Sequence, residues 1–138
     1  MLQMSRKCVP YTPVTAKLSE MMIAIVSSSG VYVEGQELYT DNGDESYRVI
    51  PGDVDLGQLR FKHNHYDTSE AQKDPNVVFP IERLRELQAE GFIRGASNKH
   101  IGFKGFSVNL KAQYENLAPK IADEVERSQA DAVLLTGG

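Results

Sequence analysis

The densest group of chemically capable side chains is His63-x-His65-x-Asp67. On a strand, where side chains alternate between faces, this spacing puts all three on one side, and three such ligands plus a water make a catalytic metal site. Two other readings compete with the metal. Imidazoles at a strand end hydrogen-bond neighbouring loops, and a histidine titrating near neutral pH serves as a general acid or base. With only His100 in addition, the ligand count is thin, and no metal is assigned. His100 itself lies with Asn98 and Lys99 in a stretch bearing Gly95, Gly102 and Gly105, a composition that lets backbone approach an anion or a carboxylate substrate closely. Ser27-Ser28-Ser29-Gly30 reads either as an anion-binding turn or as a polar turn. Arg83 and Arg85 suit a carboxylate clamp, but Glu82 and Glu86 flanking them suit a solvated helix face better. Tyr47 and Tyr66 either line a site or pack.

The chain that positions these groups has 138 residues, a single-domain length. Apolar residues at 41% and charged residues at 25% exclude disordered and fibrous classes. A formal charge of −4 without any basic block removes the electrostatic footprint of a nucleic-acid binder. Cys8 is the sole cysteine, so neither an internal disulfide nor a cysteine-rich zinc site is possible within the chain, and a reducing compartment is indicated. As a nucleophile it lacks a basic or histidine partner nearby in sequence. The longest apolar run, Met21 to Val26, is far too short to span a bilayer, no signal pattern precedes it, and a cytoplasmic protein is expected.

Residues 1–18, with Pro10 and Pro13, read as an extended arm docking Val9, Tyr11 and Val14, and residues 19–138 as one α/β domain. Met21–Val26 is predicted as a strand buried on both faces, Ser46–Ile50 as a second before Pro51-Gly52, and Leu59–His65 as a third. Tyr66 to Asn76 is expected as loop. Pro80 starts a helix in which Ile81, Leu84 and Leu87 share a face and Gly91 caps the end. The stretch from Gly95 to Phe106 reads mostly as a glycine-bearing loop. Ser107 caps a second helix carrying Leu110, Tyr114, Leu117, Ile121 and Val125 on one stripe, with Pro119 expected to kink or divide it. Ala132–Thr136 is a final buried strand. The order implies a three-layer α/β domain with a largely parallel sheet, flavodoxin-like or Rossmann-like. Chemistry in such sheets gathers beyond the carboxyl ends of the strands, where a turn leads into the next helix. The sequence stops at Gly137-Gly138, where that turn should begin, so the domain is expected to be incomplete at its C-terminus and to keep an uncovered apolar face through which it forms a homo-oligomer.

Gly43–Pro51, His65-Tyr66-Asp67, Asp74–Leu87 with its phrase FPIERLREL, Glu90-Gly91 and Asp131–Thr136, in that order, resemble the selenoprotein B subunits of the glycine/sarcosine/betaine/D-proline reductase family. The short, D-proline-reductase-like branch is the nearest in pattern. The resemblance implies reductive cleavage of the carbon–nitrogen bond α to a carboxylate. In that family the strand matching Ala132–Thr136 runs into a turn bearing selenocysteine or cysteine, and a partner subunit supplies a pyruvoyl group that holds the substrate amine. Neither group belongs to this chain. Selenocysteine is encoded by UGA, ordinarily a stop, so a sequence ending here is expected to be the amino-terminal portion of a longer subunit, inactive alone. By the same resemblance His65, Tyr66 and Asp67, joined by His63, are candidate rim residues, and Ser46, Tyr47 and Arg48, joined by His100, candidate substrate-binding residues. The expected partners are other reductase subunits and an amino-acid-like substrate; nucleic acid and membrane are not expected. The alternative from a different class is a non-catalytic α/β module that holds a small carboxylate or a partner subunit.

Overall fold

The apolar run after Met21 folds as strand β1, Met22–Ser27, in a computed structural model that describes residues 12–138. β1 is the middle of the main sheet. Along one edge it pairs in parallel with β7, Ala132–Thr136, from Ile23 opposite Ala132 to Ser27 opposite Thr136. Along the other edge lie the two-residue β5, Gly95–Ala96, and then β6, Lys99–Phe103, both parallel to β1. The far side of β6 takes β3, Tyr47–Pro51, antiparallel, with Tyr47 opposite Phe103. Strands β2, Val31–Val33, and β4, Leu59–Phe61, form a separate antiparallel pair. The fold is thus mixed α/β with a mostly parallel sheet, consistent with the flavodoxin-like or Rossmann-like expectation.

One face of the sheet meets the main core, where Ile25, Ile50, Phe79, Ile81, Leu84 and Ile93 are buried together. Helix α2, Ile81–Ala89, is fixed there from its first turn, since burying Ile81 and Leu84 is worth roughly 2 kcal/mol each, although Leu87 stays 37% exposed. Past its end Gly91 takes a left-handed φ of 78°, the conformation its place as C-terminal cap requires.

The opposite face is covered by helical chain from 110 to 127. Asn109 rather than Ser107 caps its first turn, α3 (Leu110–Ala112), by accepting the Ala112 N–H at 3.1 Å. Pro119 does not divide the run. It has no N–H to give, and the turn before it, Gln113–Leu117, widens so that Ala118 N–H donates to Gln113 O, after which α4, Ala118–Arg127, continues. This covering is partial. Leu117 is buried, yet Leu110 is 71% exposed, Leu135 of β7 is 76% exposed, and a groove of about 640 Å³ opens between Ile121 and Val125 on the helix and Val26, Phe103 and Val133 on the sheet. The three full layers expected from sequence are therefore not formed, and β7 is an exposed rather than a buried strand.

Other expectations are corrected in place. The glycine-bearing loop is strand β6, because Gly102 lets the strand press against β2: a Cβ there would collide with the Val31 carbonyl. The strand from Leu59 ends at Phe61 rather than His65, so the histidines stand beyond it. The segment Tyr66–Asn76 contains a short helix, α1, Ser69–Lys73. Residues 12–17 are exposed without regular structure, and Val14 is not docked. The readings for Cys8, Val9 and Tyr11 lie outside the described residues. Among the described residues no helix is long and apolar enough to cross a membrane.

Candidate functional site

Because β1, β6 and β7 are parallel, their carboxyl ends open on one side of the sheet, the end where α/β folds place ligands. Ser27–Gly30 leaves β1 there, but its N–H groups are spent on protein: Ser28 N donates to Thr136 O at 3.0 Å, Ser29 N to Ser27 Oγ at 3.4 Å and Gly30 N to Phe103 O at 2.8 Å. The turn is a polar strand junction and offers no anion nest. Gly30 has a positive φ of 75° and packs so tightly on Lys62 that a side chain would strike the Lys62 carbonyl, while Lys62 N donates to Gly30 O at 3.0 Å. That pairing delivers the chain after β4 to the strand ends, with His63 next in line.

Three of the four candidate rim residues meet there. His65 N–H donates to His63 Nδ1 at 3.1 Å. The His63 ring stands 4.9 Å from the Tyr66 ring, and His65 stacks on Phe106 at 3.6 Å between centroids. Tyr66 OH donates to Ser29 O at 2.9 Å, tying this loop to the end of β1. Gly138, just past β7, lies against the Tyr66 ring. Asp67 does not join them: it is exposed and accepts the Ser69 N–H at 2.9 Å ahead of α1. Among the described residues no three His, Cys, Asp or Glu side chains stand close enough to hold a metal ion, so the spacing that suggested one is not realised in space.

Lys104 is the member that the sequence gives no reason to single out. It is fully buried one residue past β6, and its Nζ donates to the carbonyls of Thr40 at 2.8 Å and Asp41 at 3.3 Å. Burial, the Lys104 charge and neighbouring His65 together hold the His63 pKa below the ordinary histidine value. Burial also raises the Tyr66 hydroxyl. The site is therefore positively biased and contains a neutral imidazole.

The other candidates have different surroundings. β3 runs antiparallel, so Ser46, Tyr47 and Arg48 also lie at this end of the sheet. Arg48, however, turns toward the loop 37–46: it donates to Glu37 O at 2.7 Å, Ser46 Oγ at 2.7 Å and Tyr47 O at 3.0 Å, and its guanidinium sits 4.5 Å from the Tyr39 ring centre. Ser46 also bonds the Asp44 carboxylate. His100 is fully buried in the core, where its Nδ1 accepts the Ile25 N–H at 2.9 Å and its ring meets Phe79 edge-on; burial lowers its pKa to about 4. It is not gathered with the histidines at the strand ends. Arg83 forms exposed ion pairs with Glu82 and Glu86, and Arg85 donates to Gly52 O and Val54 O, so neither is free to clamp a ligand.

Histidine, tyrosine and lysine side chains thus collect beyond the carboxyl ends of parallel strands, the end at which open α/β sheets bind ligands. The chain belongs to the glycine/sarcosine/betaine reductase selenoprotein B family, which matches residues 2–138. It is 39% identical over 128 residues to the D-proline reductase subunit gamma of Acetoanaerobium sticklandii, a match covering 93% of this chain and 53% of that protein. It is 31% identical over 133 residues to the glycine reductase complex component B subunit gamma of Carboxydothermus hydrogenoformans, covering 93% and 30%. With the sarcosine reductase complex component B subunit beta of Peptoclostridium acidaminophilum it shares 27% over 136 residues, again covering 93% and 30%. The chain thus spans about half the length, or less, of the curated relatives it matches. No solved structure matches significantly.

Proposed function

We propose that this chain is the framework portion of a cytoplasmic reductase subunit that, together with the other subunits of its complex, cleaves the α carbon–nitrogen bond of an amino acid, D-proline being the preferred substrate among D-proline, glycine, sarcosine and betaine. The preference rests on the 39% identity to a D-proline reductase subunit, against 31% and 27% for the glycine and sarcosine reductase subunits. The reaction is a two-electron reduction. The C–N bond breaks, two thiols become a disulfide, and their two protons and two electrons go to the separated carbon and nitrogen, so that D-proline opens to 5-aminopentanoate.

By this reading the nucleophile, selenocysteine or cysteine, is presented at the carboxyl end of β7, and a partner subunit's pyruvoyl group holds the amine. The observation that carries the assignment is the contact of Gly138 with Tyr66: chain leaving β7 passes directly into the His63 cluster. The residues present suit a selenolate or thiolate, since the Lys104 charge favours an anion and the carboxylate of Asp41 is paired with Lys62 at 3.3 Å. His63 and Tyr66 orient what binds, and Lys104 ties the 40–41 segment to the chain leaving β6.

The test is to express the complete reading frame with its partner subunits, with cysteine or selenocysteine at the position beyond β7, and follow dithiol-dependent loss of each of the four amines. Formation of 5-aminopentanoate from D-proline is the expected result. An assembled complex that reduces none of the four refutes the proposal.

A further inference from the structure

His63 has one committed nitrogen and one open one. Its Nδ1 accepts the His65 main-chain N–H at 3.1 Å, so the neutral ring must carry its proton on Nε2, and no group among the described residues accepts from that atom. The His65 amide is fixed in turn, because the His65 ring is stacked on Phe106 and Tyr66 is anchored to Ser29 O. The charged and titratable groups around His63 are His65, Lys104, Tyr66 and the Lys62–Asp41 pair. They leave a positive bias, with Asp41 already neutralised by Lys62. A neutral imidazole whose Nδ1 is occupied is a poor base, and surrendering Nε2–H would create an imidazolate, so it is a poor acid as well. What it does well is donate one fixed hydrogen bond to an anionic oxygen.

We infer that His63 Nε2–H is a carboxylate-orienting donor: it grips the carboxylate of the amino-acid substrate beside the Lys104 charge and takes no part in proton transfer. The inference rests on the function proposed above for its substrate, and it assigns His63 to positioning rather than to acid–base chemistry. Gln places an amide N–H where Nε2–H stands, so His63→Gln keeps the donor while removing any titration.

Binding of acetate, D-proline and D-prolinamide to the assembled complex is measured by equilibrium dialysis for wild type, His63→Ala and His63→Gln. Removal of a hydrogen bond to a charged group predicts that His63→Ala weakens acetate and D-proline roughly ten- to a hundredfold. His63→Gln restores most of that affinity, and D-prolinamide, lacking the carboxylate, is indifferent to all three. In turnover by the same complex His63→Ala raises KM, leaving the pH profile of kcat in place. The inference is overturned if wild type binds no carboxylate, if His63→Ala binds as wild type does, or if folded His63→Gln behaves like His63→Ala. Carboxylate binding that depends on His63 in a complex reducing none of the amines would sink the proposed reaction alone. Turnover of D-proline with binding indifferent to His63 would sink this inference alone.

Discussion

The main chain of Gly138 lies on the ring of Tyr66 so closely that a Cβ on the glycine would sit 2.5 Å from the tyrosine Cε1. The contact joins the exit of β7 to the loop bearing both histidines, two segments about 70 residues apart in sequence that only the parallel pairing of β7 with β1 brings together. Tyr66 is held by its hydroxyl bond to Ser29 O, so the two ends of this junction can be separated by mutation. Tyr66→Phe removes one neutral hydrogen bond and should lower stability by about 1 kcal/mol while keeping the ring in place. Tyr66→Ala also removes the half-buried ring and should cost roughly 2 kcal/mol. Urea unfolding monitored by circular dichroism reads the difference, and equal losses in the two variants would show that the ring contact stabilises nothing.

Arg48 offers a choice between structure and recognition. Its guanidinium forks between carbonyls on the loop 37–46 and Ser46 Oγ, and Lys has no fork with which to replace it. Arg48→Lys should therefore cost about 2 kcal/mol, the scale of a charged hydrogen bond lost, and should speed amide exchange between residues 38 and 46. An Arg48→Lys variant with native stability and native exchange would return Arg48 to the ligand.

How much of this was legible beforehand depended on whether a residue's neighbours in sequence or in space decide its state. Strand β1, strand β3 and helix α2 follow from local pattern: an unbroken apolar run, a β-rich segment stopped at Pro51-Gly52, and a helical stripe with Pro80 before it and Gly91 after it. Strand β6 does not, since Gly102 and Gly105 resemble loop residues until the carbonyl of Val31 is seen to need the space. The histidines show the converse. Their alternation with Leu59 and Phe61 reads as strand, but the tight contact of Gly30 with Lys62 ends β4 before them, so they collect by a turn and not by period-two spacing. A buried lysine held by two carbonyls leaves no trace in the order of residues, and Lys104 was invisible for that reason.

The packing of Gly102 yields a sharp test of where the sheet is least tolerant. Its missing side chain admits the carbonyl and Cγ1 of Val31, a buried residue of β2 that is held in register opposite Phe61 of β4. Gly102→Ala should destabilise by about 3 kcal/mol, the upper range of core overpacking, whereas Gly35→Ala, where nothing lies within 4 Å, is opposed only by its φ of 90° and should cost less. Thermal melts of the two variants side by side measure this, and an equal or smaller loss at Gly102 would contradict the close approach of β6 to β2.

Acid sensitivity between neutral pH and about pH 4 should trace to His100. The native pKa of about 4 lies below the unfolded value of 6.5 because burial disfavours the imidazolium. Over that window the unfolded chain binds a proton that the native chain refuses, so protonation draws the equilibrium toward unfolding. The stabilisation is complete above pH 6.5 and declines as the pH falls to about 4, below which both states are protonated and the loss levels off. The full difference is roughly 3 kcal/mol. Asn at this position keeps an oxygen where Nδ1 accepts the Ile25 N–H but cannot titrate. Stability of wild type and His100→Asn from urea titrations at successive pH values should therefore converge on acidification, the wild-type curve falling and the variant's losing this slope. Parallel curves across pH 4–6.5 would mean that another group governs the acid limb.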